Sequence, residues 1–212
     1  MIEGDGVREE IAGRIRELRE SRDVAARTEI QEDCMTEIRN VPRRGGRLLT
    51  KVRGMYEHRA EWLYLLLDEA RKKGLAWEDF APEAILRCGR FNGAGFAGSP
   101  QDETQRGSPG ETQRGSPNLV TLRRKGFGGL GRRVFEMKIL SSGPDELDVE
   151  FHYCPLVSAW RKLGASEEEL GLLCDIAMRG DAGIAEAFGA RLELGQTIAK
   201  GGATCRVRFV KE

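Results

Sequence analysis

An alternation of apolar and polar residues near the C-terminus constrains the fold more than any other feature of this sequence. In segment 147–154, apolar residues at odd positions alternate with more polar residues at even positions. Such alternation is typical of a β-strand with one buried face. Segment 134–139 alternates in the same way, and Gly143–Pro144 between the two segments marks a turn. Together they predict a β-hairpin.

Helices and a second hairpin follow this first hairpin. Pro155 is a favourable first residue for a short helix, and Ser166 with Glu169 forms a capping box that opens another. Segments 191–199 and 204–210 then have the pattern of two more strands. We therefore predict an α+β fold, with N-terminal helices followed by an antiparallel sheet in the order hairpin–helices–hairpin, covered on one face by helices.

The first third of the chain has the pattern of helices. Apolar residues recur at helical spacing in segments 7–18, 30–41 and 52–73. After these, the glycines at positions 93, 95 and 98 are expected to interrupt regular structure.

A tandem repeat separates the helical part from the sheet. Glu103–Gly110 and Glu111–Asn118 carry nearly the same eight residues and no apolar side chain. Such a segment cannot contribute to a core, so a surface loop is expected. We predict a helical part over 1–96, a disordered repeat-containing loop over 97–118, and an antiparallel sheet with helices over 119–212 that forms one compact domain with 1–96.

Charge and composition exclude several classes of function. Lys and Arg together number 34, as do Asp and Glu, so nothing favours a nucleic-acid partner across the whole surface. A local cluster of basic residues is interpreted as a solvated loop and strand edge, because it has only Phe127 as an aromatic neighbour. The cluster consists of Arg123, Arg124, Lys125, Arg132 and Arg133.

The sequence also predicts a soluble cytoplasmic protein without a membrane partner. No apolar run approaches the roughly 20 residues that span a bilayer, and Met1–Arg8 lacks an apolar signal-peptide core. The five cysteines are odd in number and form no CxxC pair, so a disulfide framework is not expected.

The segment Phe151–Pro155 contains the most reactive combination of side chains. Strand alternation places His152 and Cys154 on one face. If Pro155 is the first helical residue, Cys154 is the N-cap, and the free N–H groups of Leu156 and Val157 favour its thiolate. A nucleophilic cysteine with a neighbouring histidine is the catalytic interpretation. The alternative is that both residues occupy a strand end without any function.

Metal binding is a further alternative for the same region. His152, Cys154, Cys174, Asp175 and Cys205 offer suitable ligand types. Cys174 and Cys205, however, fall on apolar faces of their predicted elements and are interpreted as core residues. We therefore predict no metal and no cofactor.

The order of several sequence blocks resembles the L-2-amino-thiazoline-4-carboxylic acid hydrolase family. The resemblance covers about two thirds of the chain and is concentrated towards its end. The blocks are Asp148–Trp160, Leu173–Met178, Gly180–Asp181, Leu192–Leu194, Thr197–Gly201 and Cys205–Phe209, preceded by the helical segments His58–Arg71 and Glu78–Gly93.

The resemblance implies hydrolysis of a carbon–nitrogen bond in a small cyclic amidine, which gives a carbamoyl-cysteine. Cys154 attacks the amidine carbon and His152 moves protons, although direct attack by water is equally consistent with the residues. Charge complementarity then suggests substrate-binding roles for Asp175, Asp181 and Glu193 on the amidinium and for Lys200 and Thr197 on the carboxylate. His58, on the helix predicted over 52–73, is a further candidate to reach a pocket, and the alternative is a partly exposed histidine without a role. Two departures from the family pattern are the tandem repeat and Gly202, which stands where an acidic residue is expected.

Two other classes of function remain open. One is a non-catalytic sensor module that binds a small molecule or a metal on the same fold. The other is a scaffold that binds a partner through its N-terminal helices. A homo-oligomer is compatible with each of these possibilities.

Overall fold

The computed structural model describes residues 40–98 and 118–211 of the protein, which belong to one compact unit. The predicted helix in segment 7–18, almost all of the predicted helix in segment 30–41 and almost all of the tandem repeat lie outside the described residues; Asn40 and Val41, the described end of segment 30–41, are not helical. Within the described ranges, no helix combines the length and the apolar character that are needed to cross a membrane.

Six α-helices, a short 3-10 helix and four strands make up the described structure. The helices are α1 (Arg47–Lys72), α2 (Trp77–Ala97), α3 (Leu119–Gly126), α4 (Gly129–Val134), α5 (Pro155–Lys162) and α6 (Glu167–Glu186). The strands are β1 (Met137–Ser142), β2 (Glu146–Phe151), β3 (Ala190–Leu194) and β4 (Cys205–Lys211), and the 3-10 helix covers Ile198–Lys200.

The four strands form one antiparallel sheet in the order β1-β2-β4-β3. The two strands of each hairpin pair with each other, and pairing of β2 with β4 joins the two hairpins. Helices pack on this sheet, so the predicted α+β fold of hairpin, helices and hairpin is confirmed. The capping box at Ser166 and Glu169 is also present at the start of α6, as predicted.

The two faces of the sheet differ sharply in character. On the apolar face, Leu147 lies opposite Phe209 and Val149 opposite Val207, and all four are buried in a core with α3 and the end of α6. The other face carries ion pairs across strands, such as the 2.6 Å contact between Arg206 Nη2 and Asp148 Oδ2. This face is called the charged face below.

Glycines allow α2 and α6 to approach closely. A Cβ atom on Gly89 would lie 2.0 Å from the backbone oxygen of Gly180, and one on Gly183 would lie 2.3 Å from the backbone oxygen of Leu86. The prediction that glycines interrupt structure in this region was wrong for Gly93 and Gly95, because α2 continues through both to Ala97, and it is confirmed for Gly98, which ends the helix with a φ of 89°. The packing energy against α6 outweighs the poor helix propensity of glycine.

The basic cluster lies on two short helices, so its interpretation as a loop and strand edge was wrong. Asn118 caps α3 by accepting a 3.1 Å hydrogen bond from the backbone of Thr121, and this cap starts a helix before the basic residues. Between α4 and β1, Glu136 is buried with a positive φ of 51°. Its carboxylate accepts a 2.9 Å hydrogen bond from the equally buried Arg53 of α1.

Candidate active site

Cys154 is the N-cap of α5, and Pro155 is the first residue of that helix, as the sequence predicted. The side-chain amide of Asn40 fixes the Cys154 backbone from both sides. Its Nδ2 donates to the carbonyl of Cys154, and its Oδ1 accepts from the N–H of Cys154, both at 2.8 Å. The same Nδ2 lies 2.9 Å from the hydroxyl of Ser158 in α5. The position of the sulfur is therefore set by a segment more than a hundred residues away in sequence.

The half-buried Cys154 thiol is protonated in the resting site. Burial raises the pKa of the thiol above its ordinary value, while the N–H groups of Val157 and Leu156 and the guanidinium of Arg59 lower it. The predicted donors at the start of the helix are therefore present, although the sulfur makes no capping hydrogen bond of ordinary geometry. The predicted preference for the thiolate is reversed, because desolvation outweighs these donors.

Asp181 of α6 is the acidic group that acts on Cys154. Burial raises the pKa of Asp181 to about 6, although Arg59 and the residue's own backbone N–H oppose the increase. The carboxylate in turn raises the pKa of the Cys154 thiol. Arg59 itself is exposed on α1, with its guanidinium 5.5 Å from the ring centroid of Tyr56. A carboxylate that titrates near neutral pH is suited to general acid–base chemistry.

Two further thiols lie close enough to Cys154 to interact with it electrostatically. Burial raises the pKa of Cys174 to about 12 and also raises that of Cys205, and the nearby Cys154 adds to both increases. The Cys205 sulfur accepts a 3.2 Å hydrogen bond from the N–H of Ile198. The region of these buried and half-buried thiols is called the interior side of the site below. The described residues contain no group of three or more His, Cys, Asp or Glu side chains that could hold a metal ion.

Thr197 supplies an unusual polar group to this interior side. Its hydroxyl is buried and has no hydrogen-bond partner of good geometry among the described residues, although it is near enough to lower the pKa of Cys174. Buried polar atoms are nearly always paired, so a hydroxyl without a partner indicates a place for water or a ligand.

His152 makes its contacts away from Cys154. Its Nε2 lies 3.0 Å from Oε1 of Glu150, on the charged face of the sheet, and no described hydrogen bond or ion pair joins it to Cys154. The sulfur of Cys154 instead interacts with Cys205, which pairs with Phe151 of β2. Strand alternation does not extend to Cys154, because β2 ends at Phe151. The predicted His152–Cys154 pairing is not seen in these contacts.

The remaining predicted residues divide between the site and the outer surface. Asp175 and Lys200 form an exposed ion pair of 2.7 Å, and both influence the pKa of Cys174, so they lie near the site. Glu193 is held on the charged face by Arg191 and Arg208. His58 is exposed on α1 and accepts a 2.9 Å hydrogen bond from Trp62 Nε1.

Sequence reasoning missed two residues of the site. Asn40 and Arg59 lie in or before α1, far from Cys154 in sequence. Asn40 belongs to no motif, and Arg59 lies within the block His58–Arg71 but was given no role there. It also assigned Cys174 and Cys205 to the core alone, since both follow apolar neighbours at the spacing of buried residues.

Comparison with known protein families identifies the family of this chain. The model of a protein family described as L-2-amino-thiazoline-4-carboxylic acid hydrolase matches residues 55–209. The matched range contains Arg59, Cys154 and Asp181, and it begins after Asn40. No curated protein matches the chain.

Proposed function

Because the chain belongs to the L-2-amino-thiazoline-4-carboxylic acid hydrolase family, we propose that it hydrolyses a carbon–nitrogen bond in a small cyclic amidine that carries a carboxylate. The observation that carries this proposal is the Cys154 thiol at the start of α5, with the titratable Asp181 and the cationic Arg59 acting on it. A nucleophile, an acid–base group and a cation are the three parts that such a reaction requires.

The charges of the site complement those of the proposed substrate. A cyclic amidine with a carboxylate carries one positive and one negative group. Asp181 is suited to the amidinium, and Arg59 has no ion-pair partner among the described residues and is suited to the carboxylate. Lys200, the sequence-based candidate for the carboxylate, is held by Asp175, so in this proposal it is a secondary contact.

Substrate binding would itself activate the thiol. A positive charge about 4 Å from the sulfur, at an effective dielectric constant of about 20, stabilises the thiolate by roughly 4 kcal/mol. That energy corresponds to a decrease of about three pKa units. The resting thiol is therefore protected, and the amidinium offsets the desolvation that keeps it protonated.

The reaction then proceeds in two steps. Cys154 sulfur adds to the amidine carbon, its proton passes to Asp181, and the ring nitrogen leaves with that proton. Water next adds to the same carbon, and the bond to sulfur breaks, which regenerates the thiol and leaves a carbamoyl group on the product. One water molecule is consumed overall. Asp181 acts as base and then as acid, a role suited to a pKa of about 6.

The other predicted residues receive lesser roles in this proposal. The Thr197 hydroxyl, which is buried and among the described residues makes only a contact with the Cys174 thiol, can bond to the substrate or to the attacking water. Asp175 borders the site, while Glu193 and His58 make contacts elsewhere on the surface. In this proposal His152 contacts Glu150 on the charged face and does not move the proton of Cys154.

Turnover of 2-amino-thiazoline-4-carboxylate, followed by mass spectrometry of the carbamoyl product, tests the proposal. Cys154→Ala should lower kcat by roughly a thousandfold or more, as removal of a nucleophile does. Cys88→Ala is the matched control, because Cys88 is a free and exposed thiol on α2. This control should keep wild-type turnover.

Each alternative has its own outcome. Turnover that survives in Cys154→Ala and is lost in Asp181→Asn would mean direct attack by water, without a covalent intermediate. A wild-type protein that binds cyclic amidines and turns none of them over would be a sensor and would contradict the proposal.

A further inference from the structure

A cleft of about 600 Å³ lies on the part of the molecule that carries His152. We call it the basic cleft, because five cationic side chains contribute to its lining: Arg43, Arg44, Arg132, Arg133 and Lys138. His152, Glu136, Met137 and Gly129 complete the lining. Cys154, Asp181 and Arg59 do not line it, so the proposed reaction does not account for it.

The positive charge of the basic cleft is not neutralised by acidic residues in the described part of the protein. None of its five lysine and arginine side chains forms an ion pair with an acidic residue in the described parts of the chain. Glu136 is the one acidic residue of the lining, and its carboxylate is already bound by Arg53 and by the backbone N–H of Arg44. Such a concentration of charge is notable in a chain whose formal net charge is zero.

The walls of the basic cleft are tied together by a buried ion pair. Arg53 bonds to Glu136 at 2.9 Å and to the carbonyl of Val134 at 3.1 Å, while Arg44 N–H donates to Glu136 at 2.7 Å. The segment before α1 is thereby fixed to the junction of α4 and β1. Because these contacts hold the backbone of both walls, the cations are kept near one another, and a bound anion would relieve their repulsion.

His152 adds a ring nitrogen that lacks a partner. Its Nδ1 is buried and makes no hydrogen bond in the described structure, while Nε2 faces Glu150 at 3.0 Å. Glu150 is not part of the cleft lining, so the His152 ring lies between the basic cleft and the charged face of the sheet.

We propose that the basic cleft binds a small phosphate-bearing molecule with two or more negative charges. Its volume falls within the range of small-molecule sites. Arginine is the preferred residue for phosphate recognition, because its guanidinium donates two parallel hydrogen bonds. Nucleic acid fits less well, since no Phe, Tyr or Trp contributes to the lining for bases to stack upon.

Titration calorimetry of the full-length protein with pyrophosphate tests this proposal at constant ionic strength. Arg132→Ala/Arg133→Ala should raise the Kd about a hundredfold or more, because each of the two lost charged hydrogen bonds costs at least about a factor of ten. Arg123→Ala/Arg124→Ala removes the same charge from exposed positions on α3 outside the cleft and should leave the Kd within twofold. Lys138→Met serves as a second cleft variant if the double variant unfolds.

The controls separate a built site from general charge. Equal weakening by the cleft variants and the α3 variants, or loss of binding when chloride replaces other salt at matched ionic strength, would overturn the proposal. A single-stranded oligonucleotide that binds more tightly than pyrophosphate, and depends on both pairs of arginines, would also overturn it in favour of an extended nucleic-acid surface. Saturable binding of pyrophosphate that depends only on the cleft residues supports it.

Discussion

Asp181→Asn should stabilise the protein at neutral pH and remove its activity. The folded protein raises the pKa of Asp181 from 3.8 to about 6, so it favours the protonated carboxyl over the carboxylate. A group with a raised folded pKa contributes stability that is fully present below its unfolded pKa and is lost as the pH rises through its folded pKa. Stability from this group is therefore present below about pH 4 and lost by about pH 6.

The size of this stability change follows from the pKa shift of Asp181. The increase from 3.8 to about 6 corresponds to roughly 3 kcal/mol, at 1.36 kcal/mol for each pKa unit. Asp181 is half-buried by its surface exposure, so solvent screens part of this energy, and roughly 1–3 kcal/mol is the expected range. For a domain of this size, each kcal/mol moves the Tm by about 2–4 °C.

Urea unfolding followed by tryptophan fluorescence measures this effect, because Trp77 and Trp160 are buried. The free energies of unfolding of wild type and Asp181→Asn should keep a constant difference below pH 4 and separate by roughly 1–3 kcal/mol between pH 4 and pH 7. Asp175→Asn removes an exposed carboxylate from the same helix and is the control. If the difference between Asp181→Asn and wild type stays constant across this pH range, the raised pKa of Asp181 is refuted.

Two further predictions concern the packing of α2 against α6 and the buried ion pair of Arg53 with Glu136. Gly89→Ala should destabilise the fold by about 1–3 kcal/mol, because the added Cβ would overlap α6. The control Gly54→Ala, at a position with open space around it, should stabilise α1 by about 0.5–1 kcal/mol. Equal effects of the two substitutions in thermal unfolding would contradict the close approach of α2 and α6. Arg53→Met leaves Glu136 buried without its cation and should cost roughly 3–5 kcal/mol, while Lys162→Met breaks an exposed pair and should cost about 1 kcal/mol or less. Similar losses in chemical denaturation would show that the buried pair has no special role.

The sheet could be predicted from the sequence because its signals are local. The alternation in segment 147–154 and the capping box at Ser166 depend on neighbours within a few residues, and both correspond to observed elements. The extent of α2 could not be predicted in the same way. Its glycines are poor helix formers in isolation, and only the approach of α6, about a hundred residues later, makes their small size an advantage.

In the candidate site, too, the locally determined feature could be predicted and the features set by tertiary packing could not. The position of Cys154 at the helix start follows from Pro155 alone and is observed. The pKa of its thiol depends on burial and on Arg59 and Asp181, which tertiary packing brings near the sulfur. No local sequence pattern indicates these two neighbours. Strand alternation cannot place His152 beside the sulfur, since the strand ends three residues before Cys154, and the pairing of the two side chains stays a prediction.

Burial raises the pKa of both Cys154 and Asp181, and a bound cation would lower both pKa values. Burial disfavours charge on both groups, so the carboxyl of Asp181 and the thiol of Cys154 each favour their uncharged form more than they would in water. An amidinium favours the ionised form of each group. Linkage is reciprocal, so ionisation of either group must strengthen binding of the amidinium by the same factor by which the amidinium promotes that ionisation. A site of this kind is selective for cations that can be attacked, because a neutral ligand of the same shape provides no energy to form the thiolate.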